Sequence, residues 1–551
     1  MFLWLFFLLT NNLNSDTTQI DSVKTVRYEI PRIINYSNTG FLDSTLNHLR
    51  VVKPIIFLSN FSDIFYYSTY LLKEKNYTAG LLGYYPSNVL INSHYIDQYF
   101  FKEFNFAIFP INFIESAIFI KKYFNSSVDA IDLNTKIDRY SQPYSYLYFT
   151  LFGPNTIYNI DFTRAITNSA GFYLSGVYSR HYKISEHRYL RGNGGYGNFY
   201  YNQFVPMRLD LIITGNSYDT IINSNFSDIT LTVGKEFCKF MIYRTSTKFY
   251  NDSAQNQIST YGMQNKILFN TGNFENILEL TALTSQFTPG KIKNNGIGFS
   301  QNTSYKFNNI IIGIGYNLDY IMDKIYFAPA GRINFQILND TKIFMRTALF
   351  NKRADFISKY GNEKFFNRSV NITGNLDIKD ETHFHKEMGV NFKSSIISVY
   401  NACIRNQIIY QPVNVGTYSV VNIDNQISGI EGILVSPSIS GFSSTVVFNY
   451  LMYSDIPLDS PDFFTKFSLN WQRKTERSIV DIYTRFTFVS ARYEQTGNYY
   501  EPFFMISPGL NWKFLTLNLN MFLDNATNVR PEDFPDMTRK FGMEIKWEFW
   551  D

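Results

Sequence analysis

Few residues in this chain have the types and spacing that chemistry demands. Its histidines stand at positions 48, 94, 181, 187, 383 and 385, and only His383 and His385 are close neighbours. Two residues apart, they share a face if the segment is a strand. A metal site needs further ligands at matching positions, and no fitting cluster accompanies them. The pair is therefore expected on a solvated loop or rim, with no metal bound. The run "RGNGGYG" (Arg191–Gly197) superficially resembles a phosphate-binding loop. It lacks the strand-then-helix context and the following Lys-Ser/Thr pair, so it is expected to form a loop tip. No Gly-X-Ser-X-Gly elbow marks a nucleophile. Cys238 and Cys403 are the only cysteines and form no Cys-X-X-Cys pair, which argues against Cys-based zinc or redox chemistry. These residues point away from an enzyme and from a resident cofactor.

Composition narrows the elements that must position whatever function there is. Phe (53) and Tyr (41) raise the aromatic share to 18%, against 17% charged residues. With plentiful Asn and Ser, this favours strands and turns over helices. A net charge of +4 over 551 residues, with no long basic run, gives no reason to expect nucleic acid as a partner. Residues 1–15, "MFLWLFFLLTNNLNS", place a short apolar run ahead of polar residues. The run is too short for a membrane helix and has the form of a secretory signal peptide. No later stretch of ~18 apolar residues follows, so any membrane passage must be made by strands.

The strands announce themselves by period-two alternation. "DITLTV" sets Ile229, Leu231 and Val233 against Asp228, Thr230 and Thr232. "TIYNIDFTR" sets Tyr158, Ile160 and Phe162 against Asn159 and Asp161. "VDIYTRFTF" sets Val480, Ile482 and Phe486 against Asp481, Tyr483 and Arg485, and "LTLNLNMFLD" sets Leu515, Leu517 and Leu519 against Asn518 and Asn520. The last strand has Phe541, Met543, Ile545, Trp547 and Phe549 on one face and Glu544, Lys546 and Glu548 on the other. From residue 141 to 551 such segments recur between Asn/Gly/Ser/Asp-rich breaks, with no helical half to cover a sheet and no internal repeat. Trp and Tyr crowd the strand ends, as in an interfacial girdle. Open edges cannot exist in lipid, so the expected fold class is an all-β membrane protein, a closed antiparallel transmembrane β-barrel.

The C-terminal stretch "LNLNMFLDNATNVRPEDFPDMTRKFGMEIKWEFW" resembles the end of a TonB-dependent outer-membrane receptor. Leu523-Asp524-Asn525 stands at the turn, Phe534-Pro535 precedes the last strand, and Arg539 holds the basic position. Asn425 with Gly429-Ile430-Glu431 is similar to the family's "GvE" strand. Further upstream, Pro110, Ile114, Glu115, Asp132 and Lys136 follow the layout of the family's plug, although glycines used there at tight turns are replaced, as at Asn92-Ser93. The resemblance implies about 22 strands around a plug, with a small α/β plug-like domain at 31–140. It also implies an N-terminal segment at 16–30 whose Thr17, Thr18, Gln19, Ile20 and Asp21 form a candidate TonB box, adding a strand to a TonB partner.

On this reading the chain resides in the bacterial outer membrane and imports a small, scarce solute through the TonB complex. Its other partners are outer-membrane lipid and the barrel assembly machinery. Phe541, Met543, Ile545, Trp547, Phe549 and Trp550 belong to the closing strand that this machinery recognises. Two alternatives stay open: a passive porin-like channel, and a surface adhesin or rim enzyme carried on a barrel.

Overall fold

The computed structural model describes residues 143–550 apart from interruptions between strands, the longest being 362–370, 455–461, 494–498 and 530–538. It also describes the N-terminal stretches 64–67, 75–78, 88–92, 94–95, 113–120 and 130–135. Nearly everything from Tyr144 to Trp550 is antiparallel strand. Gly272 and Asn308 take positive φ (60° and 48°) in two-residue links between strands, the conformation that Gly and Asn reach at least cost. Leu515, expected on a strand face, instead occupies the link 515–516 with φ 50°. Hairpin closure there overrides the alternation by one residue.

Among the described residues, 23 strands hydrogen-bond in one closed sheet. The three-residue strand Asn371–Thr373 only adds laterally, in parallel, to Thr417–Ser419, so the wall itself has 22 strands. Closure is made by the strand Lys540–Trp550 pairing with Tyr144–Phe152, from Trp550↔Tyr144 to Gly542↔Phe152. A closed sheet has no edge left to satisfy, which is what lipid requires. No described helix is long and apolar enough to cross a membrane.

The wall is inverted relative to a water-soluble barrel. One inward row runs from Glu548 through Tyr146, Asp161, Ser175, Tyr196 and Ile212 to Asp228, each opposite the next across neighbouring strands. All of them are buried. In the adjacent outward row Trp547, Leu147, Ile160 and Ile213 are exposed, Ile160 at 60% and Ile213 at 55%. Buried carboxylates and hydroxyls against exposed branched aliphatics form a large apolar outer surface, the signature of a lipid-facing wall.

The run Arg191–Gly197 is not a loop tip but the middle of the strand Arg188–Tyr201. Glycine's low strand propensity invites the loop reading. Register is carried instead by its aromatic neighbours, Tyr196 and Tyr200 facing in and Phe199 facing out.

The two rims differ. Where Tyr144 begins and Trp550 ends, the links are short, the longest being 436–441. The opposite rim carries the longer excursions 353–380, 490–502 and 525–539. Two strands beside the first excursion, Ser395–Asn414 (20 residues) and Thr417–Val435 (19 residues), project well beyond their neighbours. The next strand accompanies the second of them only from Ile427 to Val435. The excursion covers the remaining edge through Asn371–Thr373, an Asn375 side-chain bond to the Val420 carbonyl (3.2 Å), and a Lys379 N–H bond to Asn422 Oδ1 (2.7 Å). At its neck, Asp380 accepts from Lys324 Nζ (2.8 Å), the Tyr326 hydroxyl (2.9 Å) and the Ala354 N–H (2.9 Å).

Candidate functional site

A second, four-stranded sheet meets the inner wall. Its order is His94–Tyr95, Asn88–Ile91, Ala130–Thr135, Ile114–Ile120, with the two middle strands parallel. The hairpin between Ile91 and His94 turns at Asn92, whose φ of 51° supplies the left-handed conformation usually given to Gly. Asn tolerates this region better than other non-glycine residues. The side chain is also used: Asn92 Oδ1 accepts from the Thr135 N–H (2.9 Å) and hydroxyl (3.0 Å), tying the turn to the end of the neighbouring strand.

Thr135 is one half of the first junction with the wall. Arg208 Nη2 donates to Thr135 Oγ1 (2.7 Å) and to Asp210 Oδ1 (2.8 Å), while Arg208 Nε lies 2.6 Å from Asp210 Oδ2. The Tyr196 hydroxyl stands 2.8 Å from Asp210 Oδ1 and 3.0 Å from Thr135 Oγ1, and Asn198 Nδ2 donates to the same carboxylate (2.8 Å). Phe113 packs its ring 5.6 Å from that of Tyr196. A buried carboxylate is tolerable only when paired and hydrogen-bonded, and Asp210 has a cation and two neutral donors.

The second junction lies on the next strand of the wall, Asp210 standing opposite Thr230. His94 Nε2 stands 2.7 Å from Asp228 Oδ2, both side chains fully buried. Thr230 donates to Asp228 Oδ1 (3.0 Å), and the Tyr243 ring lies 4.4 Å from the imidazole. Each junction joins a sequence-distant N-terminal residue to an inward side chain of the wall. Nothing in the local sequence around His94 or Thr135 reveals this. The only signal was the alternation that put Asp228 and Thr230 on the polar face.

A third buried group sits toward the long-loop rim, on the inner face of Glu381–Phe392. His383 Nε2 is 2.8 Å from Glu381 Oε2, and Glu381 Oε1 accepts from the Ile408 N–H (2.9 Å) at a register shift in the adjoining strand. Phe350 stacks on His383 at 4.5 Å, and Arg346 Nη1 lies 3.9 Å from Glu387 Oε2. His383 and His385 are thus not a solvated pair: both are fully buried. The strand carries them inward together, His383 against Phe350 and Glu381. Among the described residues, no group of three or more His, Cys, Asp or Glu is placed to hold a metal ion.

The other sequence-derived positions fall as follows. Thr17, Thr18, Gln19, Ile20 and Asp21, with Pro110 and Lys136, lie outside the described residues. Ile114 and Glu115 open the strand Ile114–Ile120, which pairs antiparallel with the strand holding Asp132, Ile118 opposite Asp132. In the closing strand Phe541 and Trp547 are exposed, Met543, Ile545 and Phe549 half-buried, and Glu544 and Glu548 buried. Trp550 pairs with Tyr144 at the rim. Lys546 Nζ lies 3.1 Å from Glu548 Oε1 and 4.3 Å above the Tyr146 ring. Asn520 donates to Glu544 (3.1 Å) and accepts from the Tyr483 hydroxyl (3.1 Å). The lumen is therefore lined by paired groups of mixed sign, suited to holding an internal body and not to selecting ions by charge.

No family model and no curated protein matches the sequence. Solved structures do match. The siderophore receptor PirA from Acinetobacter baumannii aligns with a TM-score of 0.76 at 12% identity, over 96% of this chain and 100% of the other. A mutant of the ferric enterobactin receptor PfeA from Pseudomonas aeruginosa aligns at 0.75 and 11%, over 92% and 99%. The copper transporter OprC aligns at 0.74 and 10%, over 91% and 98%. Identities this low establish the fold alone. The many-stranded antiparallel barrel expected from the sequence is the fold this chain shares with those structures.

Proposed function

We propose that this chain is an outer-membrane receptor that imports a small, scarce solute, with residues 31–140 as a plug in the lumen and 141–551 as the barrel. One observation carries the proposal: an inward polar wall hydrogen-bonded to an N-terminal sheet through Arg208–Thr135 and His94–Asp228. A passive channel has no use for an internal body latched by a buried His–Asp contact. A plugged transporter needs one that holds at rest and yields to force. Residues 1–15 would direct export, and the segment 16–30, with Thr17 to Asp21 as the TonB box, would receive the pull by adding a strand to the TonB partner. The barrel assembly machinery would insert the wall, with the closing strand Lys540–Trp550 as its signal. The neighbours are named for siderophores and copper; a chelated or free metal is the solute class to test first.

Conductance separates the readings. In planar bilayers the full-length protein should be nearly closed, and deletion of residues 16–140 should turn it into a large open pore. Free conduction by the intact protein would make it a passive channel.

A further inference from the structure

We propose that the wall carries a lateral gate between the strands Phe503–Phe514 and Leu517–Asp524, through which a lipophilic small molecule passes between the bilayer and the lumen. The gate rests on the membrane placement proposed above and deepens that reading by naming a class of solute.

Leu517–Asp524 has 8 residues. It pairs with Phe503–Phe514 only from Phe514↔Leu517 to Gly509↔Phe522, the shortest ladder between neighbouring wall strands among the described residues. Pro508 explains why it stops there. The Ala526 N–H donates to the Ile506 carbonyl (2.7 Å), so Ile506 and, two residues on, Pro508 direct their backbone groups toward this seam. The register would next bring Pro508 opposite Leu523, and proline has no N–H to give it.

Above the last pair, side chains take over from the ladder. The chain leaves the strand at Asn525, with φ 49°. Ser507 Oγ donates to Asp524 Oδ1 (2.9 Å) and accepts from the Asn525 N–H (3.1 Å), and Thr527 Oγ1 donates to the Phe504 carbonyl (3.2 Å). On the lumen side Tyr483 closes the same place. It stands opposite Gly509, where any Cβ would collide with its ring, so the ring lies flat across a strand that only glycine leaves bare. The Tyr483 hydroxyl donates to Asn520 Oδ1 (3.1 Å), and Asn520 Nδ2 donates to Glu544 Oε2 (3.1 Å). These three buried side chains form a bar across the seam.

A fully laddered seam cannot part in hydrocarbon, because each N–H and C=O it frees is left unsatisfied. Here the upper part of the seam opens by giving up a few bonds, most of them to side chains, and Pro508 has no N–H to strand in lipid. The six pairs below it keep the barrel closed. When the Tyr483 ring swings off Gly509, it uncovers a position with no side chain to block passage. The lining selects the cargo. On the bilayer side Phe504 is exposed, the Phe486 ring stacks on it at 6.2 Å, and Phe541 is exposed beyond the seam. On the lumen side stand Ser507, Asp524 and Arg485, the last 4.8 Å above the Tyr483 ring. A lipophilic molecule with one polar end meets aromatic rings outside and hydrogen-bonding groups within.

The test places the full-length protein in liposomes that contain a photoreactive long-chain alcohol, and reads the labelled residues by peptide mass spectrometry. In the wild type the outward Phe504 and Phe541 should be labelled, and so should the inward Met505 and Phe522. Ser507→Cys with Asp524→Cys, in a chain carrying Cys238→Ser and Cys403→Ser, sets a disulfide across the gate. Oxidation should abolish the inward labelling and reduction should restore it. Pro508→Val, which supplies the missing N–H, should lower inward labelling, and Asn520→Leu, which removes the bar, should raise it. Each variant is checked for the heat-modifiable mobility of a folded barrel. If the cysteine variant does not fold, Pro508→Val decides, and inward labelling equal to wild type overturns the gate. Inward labelling that survives oxidation means entry from the mouth and overturns it too. A wild type labelled only on its outward residues loses the gate and keeps the placement, whereas one labelled on neither face loses the membrane placement itself.

Discussion

Asp228 illustrates how much can depend on a single inward side chain. Its carboxylate holds His94 of the N-terminal sheet at 2.7 Å with both groups fully buried. Asp228→Ala leaves the imidazole buried without its carboxylate partner, a loss of about 1–3 kcal/mol, and should produce frequent current openings in planar bilayers. His94→Phe combined with Asp228→Leu removes both polar groups and should recover most of the closed state. Equal opening in single and double variants would show that the pair does not hold the sheet. Met543 lies on the opposite face of the wall, flanked by the buried Glu544 and by exposed Phe541. Met543→Lys should cost about 2–4 kcal/mol in lipid, read as a fall in the heat-modifiable fraction after assembly. Assembly as efficient as wild type would remove Met543 from the lipid face.

At the scale of elements, the excursion 353–380 is anchored by a carboxylate that acid disarms. Burial alone would raise the Asp380 carboxyl, but the hydrogen bonds from Lys324, the Ala354 N–H and Tyr326 outweigh it and hold the group below the usual carboxylate range. A lowered folded-state value contributes stability that is present above the unfolded value of ~3.9 and is lost as pH falls through the folded one. Hydrogen exchange in 371–380 should therefore stay slow at neutral pH and rise on acidification below that range. Asp380→Asn should show the faster exchange at every pH. The strand elements themselves were legible because alternation is a local property: Asp228 and Thr230 point in, Ile229 and Leu231 out, as the sequence pattern requires. Glycine defeated the same reasoning at Arg191–Gly197, where the pattern survives only in Tyr196, Phe199 and Tyr200. The burial of His383 and His385 was illegible for another reason. Their spacing defines a shared face, but whether that face is wet depends on distant partners such as Phe350, which the local sequence does not reveal.

Over the whole molecule, fold and identity part company. The barrel matches receptors at 10–12% identity over more than nine-tenths of the chain. A lipid-spanning wall constrains the period, the parity and the closure of its strands far more than the residue at each place. Closure could be argued from sequence because lipid forbids an open edge, but the junctions at Thr135 and His94 could not. They join residues more than seventy positions apart, and only the register of the intervening strands brings them together.

The projecting hairpin Ser395–Val435 follows from the same geometry. A strand of 20 residues, at ~3.3 Å per residue and a tilt of ~40°, rises roughly 50 Å, about twice the ~25 Å apolar band it has to cross. Set in an outer membrane as proposed, half of the hairpin stands clear of the lipid, braced along its free side by Asn371–Thr373. Among the described residues it would be a landmark on the cell's exterior, within direct reach of an antibody or an adsorbing bacteriophage.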